Sequence, residues 1–364
     1  MARRKSRKIK VSDTFTFIIA VIILIIAIVW YYQNKEERQN AYTGLSEVFT
    51  GESTANTDLL KIHFIDIGQG DCMFIEFPDG KNMLIDAGNN GKGDEVVAYL
   101  KSINVKDITL ILATHTDSDH IGGMEEVFEE YKVGYCLRPF VYYSGSDKTE
   151  FEDGFNMLPA PSQKDANYCN TKSYKDFLDC IINENCGWEF FNKNTDFTQN
   201  FTYMGETHTY SMDFLTPVAE VPNIAYSDSN DYSPITALTY GEFVIMFTGD
   251  AHENVEDELL GYYAKIPNVD VLKVGHHGSE SSSSIEFLQR IAPEHAVIQC
   301  GNNETYKHPR QEVLTRLNSV DATIYRTDLQ GNIVLTVQAD GTYEFTTQRF
   351  ATPEELLIGK DVGE

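Results

Sequence analysis

The feature that most narrows what this chain can fold into is His115-Thr116-Asp117-Ser118-Asp119-His120, four imidazole or carboxylate side chains within six residues, directly after the apolar run Ile108–Thr114. Such a run ahead of a turn reads as a buried strand, so the core delivers several ionisable groups into one loop. Desolvating them is costly unless something positive meets them, and divalent cations suit this mixture of donors. Residues 115, 117 and 119 project one way from an extended turn with His120 directly behind, so two adjacent ions can share the loop. The competing reading is a solvated turn in which Asp119 caps the helix starting near Gly122. Two further apolar runs close in the same manner, one on Asp250 and one on His276-His277. Three strand ends converging on one place is the pattern of an active site at one edge of a sheet.

The rest of the body supports that frame. From Leu60 onward short apolar runs alternate with amphipathic ones: 61–66, 72–77 and 82–88 read as strands, 94–103 as a helix and 235–250 as a hairpin about Tyr240-Gly241, which makes the chain mixed α/β. Between about Arg138 and His208 the rhythm fails and Asn, Asp, Lys, Tyr and Phe dominate, so 138–208 is expected to be an insertion.

Taken in order, His-x-Asp-x-Asp-His at 115–120, Thr248-Gly249-Asp250 and His276-His277-Gly278-Ser279 resemble the metallo-β-lactamase fold. Phe64–Asp71, Leu84–Gly88, Lys273–Ser279 and Tyr325–Asp328 sharpen the resemblance to the extracellular hydrolase domain of the ComEC competence family and its stand-alone relatives. The resemblance implies a four-layer αββα sandwich with a dinuclear site, holding two divalent metal ions, Zn or Mn. By position, His115 and Asp117 would serve one ion, Asp119 and His120 the other, and Asp250 both; one of His276 or His277 would complete the second. The superfamily's further histidine before Thr-Gly-Asp is missing here, so Asn230 or Asp231 is expected to approach the first ion, and a more oxygen-rich site favours Mn²⁺. Asp86 is expected to orient a histidine from behind, while Asp66 or Asp71 caps the tight turn at Gly68–Gly70. His308, before the Pro309 that opens a helix, is expected to contact substrate phosphate or donate a proton. Asp119 and His308 are thus the expected catalytic residues, against a surface-loop histidine as the alternative for His308.

Other segments set topology. Thr14–Tyr32 is 19 residues without a charge, close to the ~20 that cross a bilayer. A basic tail precedes it and an aromatic belt ends it, which fits an inside-facing N-terminus. The expected organisation is therefore a basic cytoplasmic tail (1–13), a transmembrane anchor (14–32), a stalk (33–58), an extracellular hydrolase domain (59–350) with the 138–208 insertion, and a C-terminal tail (351–364). Beyond Tyr32, 23 Lys and Arg face 54 Asp and Glu, a net charge of −31, which excludes passive coating of nucleic acid. Of six cysteines, Cys169, Cys180 and Cys186 lie close together and suggest a disulfide outside the cytoplasm.

Two cations in such a site activate water for in-line displacement. No nucleophile-elbow serine motif is present. The expected activity is phosphodiester hydrolysis of nucleic acid outside the cell, with membrane contact through the N-terminal helix and no protein partner inferable. Alternatives are an envelope phosphodiesterase resembling phosphorylcholine esterases, with Tyr142, Tyr143, Phe155 and Tyr168 as an aromatic rim for choline, or a non-catalytic binding module of the same fold.

Overall fold

Short runs rich in Val, Ile, Leu, Phe and Tyr, most of them buried on both faces, build two eight-stranded sheets. The first runs, in spatial order, Glu52–Thr54, Asp196–Tyr203, Glu206–Phe214, Thr236–Tyr240, Phe243–Phe247, Val271–Lys273, His295–Ile298 and Thr323–Arg326. The second runs Tyr343–Thr347, Ile333–Val337, Leu60–Phe64, Met73–Glu76, Asn82–Ile85, Ile108–Leu112, Val133–Arg138 and Gly187–Phe190. This computed structural model describes residues 44–144, 168–220, 223–302 and 304–362. The expected basic tail (1–13), the anchor (14–32) and Phe155 lie outside them. No helix among the described residues is long and apolar enough to cross a membrane.

The sheets face each other through Phe64, Ile75 and Leu112 on one side and Phe201, Leu238 and Ile245 on the other. Helices Gly93–Ser102, Met124–Glu130 and Lys172–Glu184 cover the second sheet with Val96, Leu100, Val127 and Phe177. Helices Glu253–Tyr262, Ile285–Ile291 and Gln311–Ser319 cover the first with Val255, Leu259, Leu288 and Leu314. The result is an αββα sandwich. Ile108–Leu112 lies parallel to both its neighbours, and Phe243–Phe247, Val271–Lys273 and His295–Ile298 run parallel to one another. Parallel strands end at a common edge, which is why the chain leaves them there for His115, Asp250 and His276.

Several boundaries differ from the sequence expectation. Residues 44–58 are not stalk: helix Leu45–Val48 and strand Glu52–Thr54 belong to the body, and Phe49 stacks on Phe197 with ring centroids 3.8 Å apart. Such a pair contributes ~0.5–1.5 kcal/mol beyond its area. The expected 138–208 insertion is also too long. Its end supplies an edge strand of the second sheet and the Asp196–Tyr203 and Glu206–Phe214 hairpin of the first, where Phe197, Gln199 and Phe201 turn inward between exposed neighbours. The polar composition belongs to the solvent face of a period-two pattern.

The 351–364 tail is docked as far as it is described. Arg326, buried, donates to the carbonyls of Leu356 (3.3 Å) and Ile358 (2.7 Å), and Lys360 Nζ reaches the Gly301 carbonyl (2.6 Å) and Asp328 (2.9 Å). All six cysteines are free thiols, so the disulfide expected among Cys169, Cys180 and Cys186 is absent from the structure.

Candidate metal centre

The loop after Ile108–Leu112 turns into the short helix Ser118–Ile121, and Asp71 N bonds the Asp119 carbonyl at 3.2 Å. That approach needs Gly70: at φ 131° it adopts backbone few other residues tolerate, and a Cβ there would lie 2.2 Å from the Asp119 carbonyl oxygen. On the first sheet, His276 (φ 49°) and His277 (φ 57°) sit in left-handed backbone. That kink throws two consecutive imidazoles toward Asp250 instead of to opposite sides.

The inward atoms converge. His120 Nε2 lies 3.2 Å from Asp250 Oδ2 and 3.3 Å from His277 Nε2. His277 Nε2 in turn lies 3.4 Å from both Asp250 Oδ2 and Asp119 Oδ2. Each ring is fixed from behind. His120 Nδ1 meets Asp86 Oδ2 at 2.7 Å, and His277 Nδ1 meets the Gln299 carbonyl at 3.0 Å and Asp71 Oδ1 at 3.2 Å. A carboxylate and a carbonyl only accept, so both rings hold hydrogen on Nδ1 and, when neutral, turn bare Nε2 lone pairs toward each other and toward two carboxylates. His115 repeats the pattern: its Nδ1 lies 3.1 Å from Thr114 Oγ1 and 3.2 Å from Ser233 Oγ, while Nε2 is buried without a hydrogen bond, as is Asp250 Oδ1.

This donor set fits divalent cations. Electrostatics shows the same need for positive charge. Burial disfavours charging His120 and His277, yet Asp250, with Asp86 beside His120 and Asp119 beside His277, raises both well above the usual imidazole range. Burial likewise opposes ionisation of Asp250, but His120, His277 and His276 hold its carboxyl well below the usual range. Without a cation, protons supply the charge the carboxylates require.

His115, Asp117, Asp119, His120, Asp250, His276 and His277 gather here, unequally. His120, His277, Asp119 and Asp250 form the tight group. His115 and Asp117 stand beside it, 4.0 Å apart (Nε2 to Oδ2), and His276 Nε2 lies 3.7 Å from Asp250 Oδ2 at the mouth. Asp231, expected to approach the first ion, is engaged elsewhere: its carboxylate is taken by His252 Nδ1 (3.0 Å) and Asn254 (2.8 Å). Asn230 Nδ2 lies 3.3 Å from His252 Nε2. Asp86 orients a histidine, as expected.

Asp71 has a larger part than a turn cap. One of its oxygens lies within 4.8 Å of ligand atoms of His120, Asp250 and His277. It also stands on the Nδ1 side of His277, and Lys273, fully buried, pairs with it at 2.7 Å, so it backs that ring. The missed signal was Lys273 itself, since a lysine inside an apolar strand run requires a buried carboxylate.

His308 lies at the mouth, its ring 5.4 Å from that of His276 and 6.5 Å from that of His277. Burial, with His276 and His277 beside it, lowers its pKa to about 4, so it is neutral at pH 7. Of the expected choline rim, Tyr142 is buried against Phe140 and beside Phe190 with its ring 5.9 Å from that of Tyr168, Tyr143 and Tyr168 are half-buried, and Phe155 lies outside the described residues. His63 (bonded to Tyr99 and Glu76), His208 (stacked on Phe201) and His295 (beside Tyr325) serve packing.

Residues 65–165 match the metallo-beta-lactamase superfamily. The chain is 28% identical over 290 residues to ComE operon protein 3 of Bacillus subtilis, a match covering 75% of this chain and 32% of that protein. It is 28% identical over 267 residues to competence protein ComA of Neisseria gonorrhoeae (73% of this chain, 30% of that protein). With recombination protein 2 of Haemophilus influenzae the identity is 26% over 278 residues (75% and 28%). The chain therefore matches about a third of the length of these relatives.

Proposed function

The chain carries a metallo-beta-lactamase domain homologous to competence proteins, and on that premise we propose that it is a metal-dependent phosphodiesterase acting on nucleic acid. The observation that carries this reading is the meeting of His120 Nε2, His277 Nε2, Asp119 Oδ2 and Asp250 Oδ2 within 3.2–3.4 Å contacts, with every imidazole fixed from behind. These four would hold one ion; His115, Asp117 and Asp250 would hold the other. Bound divalent ions supply Lewis acidity toward a phosphoryl oxygen and lower the pKa of water.

The chain's own residues supply the rest. Asp86, Asp71 with Lys273, and Gln299 keep the rings in one tautomer and orientation, so no reorganisation is needed when substrate arrives. His308, neutral beside His276 and His277, offers a hydrogen bond to the phosphate or leaving oxygen. The carboxylate-rich half at Asp117 favours Mn²⁺ more than a three-histidine site does. Residues 14–32 anchor the body outside the cell in this reading, supported by the uncharged run and the basic residues before it.

The test is metal analysis of the purified protein with turnover measured on single-stranded DNA, RNA, bis-p-nitrophenyl phosphate and p-nitrophenylphosphorylcholine. Turnover of the choline ester alone would overturn the nucleic-acid substrate. Protease added to intact cells should release the body, and protection of the whole body would reverse the topology.

A further inference from the structure

The stretch that carries His308 has two holders. One is the metal loop: Arg310 N donates to the Gly278 carbonyl at 2.9 Å, and Pro309 packs on Gly278 so closely that a Cβ there would lie 2.6 Å from the proline Cβ. The other is the C-terminal segment. Lys360 N donates to the Pro309 carbonyl at 3.0 Å. Gln311 makes three bonds to the same segment: its backbone N–H donates to Asp361 Oδ1 (2.8 Å), its Nε2 to the Leu357 carbonyl (3.0 Å), and its Oε1 accepts from Gly359 N (2.8 Å). Lys360 Nζ takes the far end of the loop at the Gly301 carbonyl (2.6 Å). Residues 301 and 309–311, which bracket His308, are thus tied to one short piece of chain, itself anchored where Arg326 donates to the carbonyls of Leu356 and Ile358.

Two details mark this contact as specific. Helix Gln311–Ser319 receives no side-chain cap from Arg310 before it; Asp361 supplies an acceptor to its first N–H instead, so the helix that begins three residues after His308 is capped from the end of the chain. Gly359 has to be glycine, since a Cβ there would lie 2.5 Å from Gln311 N. The segment adds little to the core, for Leu357, Ile358 and Val362 are 37%, 56% and 46% exposed. Ordering it costs chain entropy that so little apolar burial does not offset, and what its polar bonds secure is the loop. Resting on the phosphodiesterase reading with His308 on the substrate side, we infer that Leu356–Asp361 is a latch that positions His308, with Lys360 and Asp361 as its positioning residues. Both act through His308, and a misplacement of ~1 Å in such a group can cost as much as ~10²-fold in rate.

The experiment compares the full chain with Lys360→Met, Lys360→Arg, Asp361→Ala and Asp361→Asn, each alone and combined with His308→Ala, on a DNA strand and on bis-p-nitrophenyl phosphate. Lys360→Met and Asp361→Ala should each lower kcat on the strand roughly three- to tenfold, inside the range that misplacement allows, with turnover of the activated ester and retained metal at wild-type levels. Lys360→Arg and Asp361→Asn, which keep the donor and the acceptor, should restore the rate. Beside His308→Ala the same substitutions should cost nothing more, as expected of residues that act through one group. Independently of turnover, diethyl pyrocarbonate should modify His308, buried in the wild type, faster in Lys360→Met, while buried His63 stays unchanged, both read by peptide mass spectrometry. The inference is overturned if both variants keep wild-type kcat and His308 reactivity, if they lose equally on the two substrates, or if their loss persists undiminished without His308. Equal losses of His308→Ala on both substrates would remove the substrate-side role of His308 and the latch with it, leaving the phosphodiesterase reading in place. A wild type that cleaves neither phosphodiester would remove that reading as well.

Discussion

On the His120–His277 side of Asp250, each imidazole is held by a carboxylate or carbonyl acceptor, and the carboxylates are themselves held: Asp86 also accepts from Thr114 N (2.9 Å) and Thr114 Oγ1 (2.7 Å), and Asp71 is paired with Lys273. On the His115–Asp117 side the backing is hydroxyl groups, Thr114 and Ser233, and the Asp117 side chain is 44% exposed. The same kinds of ligand are therefore prepared to different degrees. Charge-assisted backing in a dry environment fixes a ring more firmly than a neutral hydroxyl does, so of the two proposed ion positions the one at His120 and His277 would be preorganised and the one at His115 would depend more on what enters with the ion.

The largest effect should come from the residue common to both halves. Asp250→Ala is expected to abolish turnover on every phosphodiester and to lower retained metal, measured by metal analysis beside kinetics; full activity would end the two-ion reading. Next, His308→Ala should reduce cleavage of a DNA strand on the order of 10²-fold, and cleavage of bis-p-nitrophenyl phosphate less, since that leaving group needs little help. Equal losses would place His308 in the frame and not on the substrate side.

The asymmetry itself is tested by the backing residues. Asp86→Asn should weaken metal retention ~10–100-fold in equilibrium chelator competition, whereas Ser233→Ala should cost only a few-fold, being a neutral partner of His115. Comparable losses would show that the halves are equally prepared.

The smallest effect concerns the frame around the loop at Gly301. Burial opposes ionisation of Asp328, but Arg326 and Lys360 hold its carboxyl below the usual 3.8. A carboxyl lower in the folded state than in the unfolded one contributes stability that is present above the unfolded value and lost as pH falls through the folded one. Thermal unfolding midpoints should therefore drop below about pH 4, with a shallower fall in Asp328→Asn. An unchanged slope would remove Asp328 from that account.

What the sequence determined by itself was the donor set of the candidate site and the mixed α/β class of the fold. Ionisable residues after apolar runs are a local signal, because the cost of burying them is the same wherever the strand lies, and His115, Asp117, Asp119, His120 and Asp250 were legible on that ground. Tertiary structure decided the rest. Only the folded turn after Val271–Lys273, left-handed at both residues, sets His277, whose Nε2 joins the tight group, apart from His276 at the mouth. Only pairing between distant segments, Glu52 beside Asn200 or Lys360 against Gly301, makes residues 44–58 and the described part of 351–364 parts of the body. The physical reason is range: burial and periodicity are written into a few consecutive residues, whereas register and the partner of a buried charge such as Lys273 with Asp71 exist only once remote strands have met.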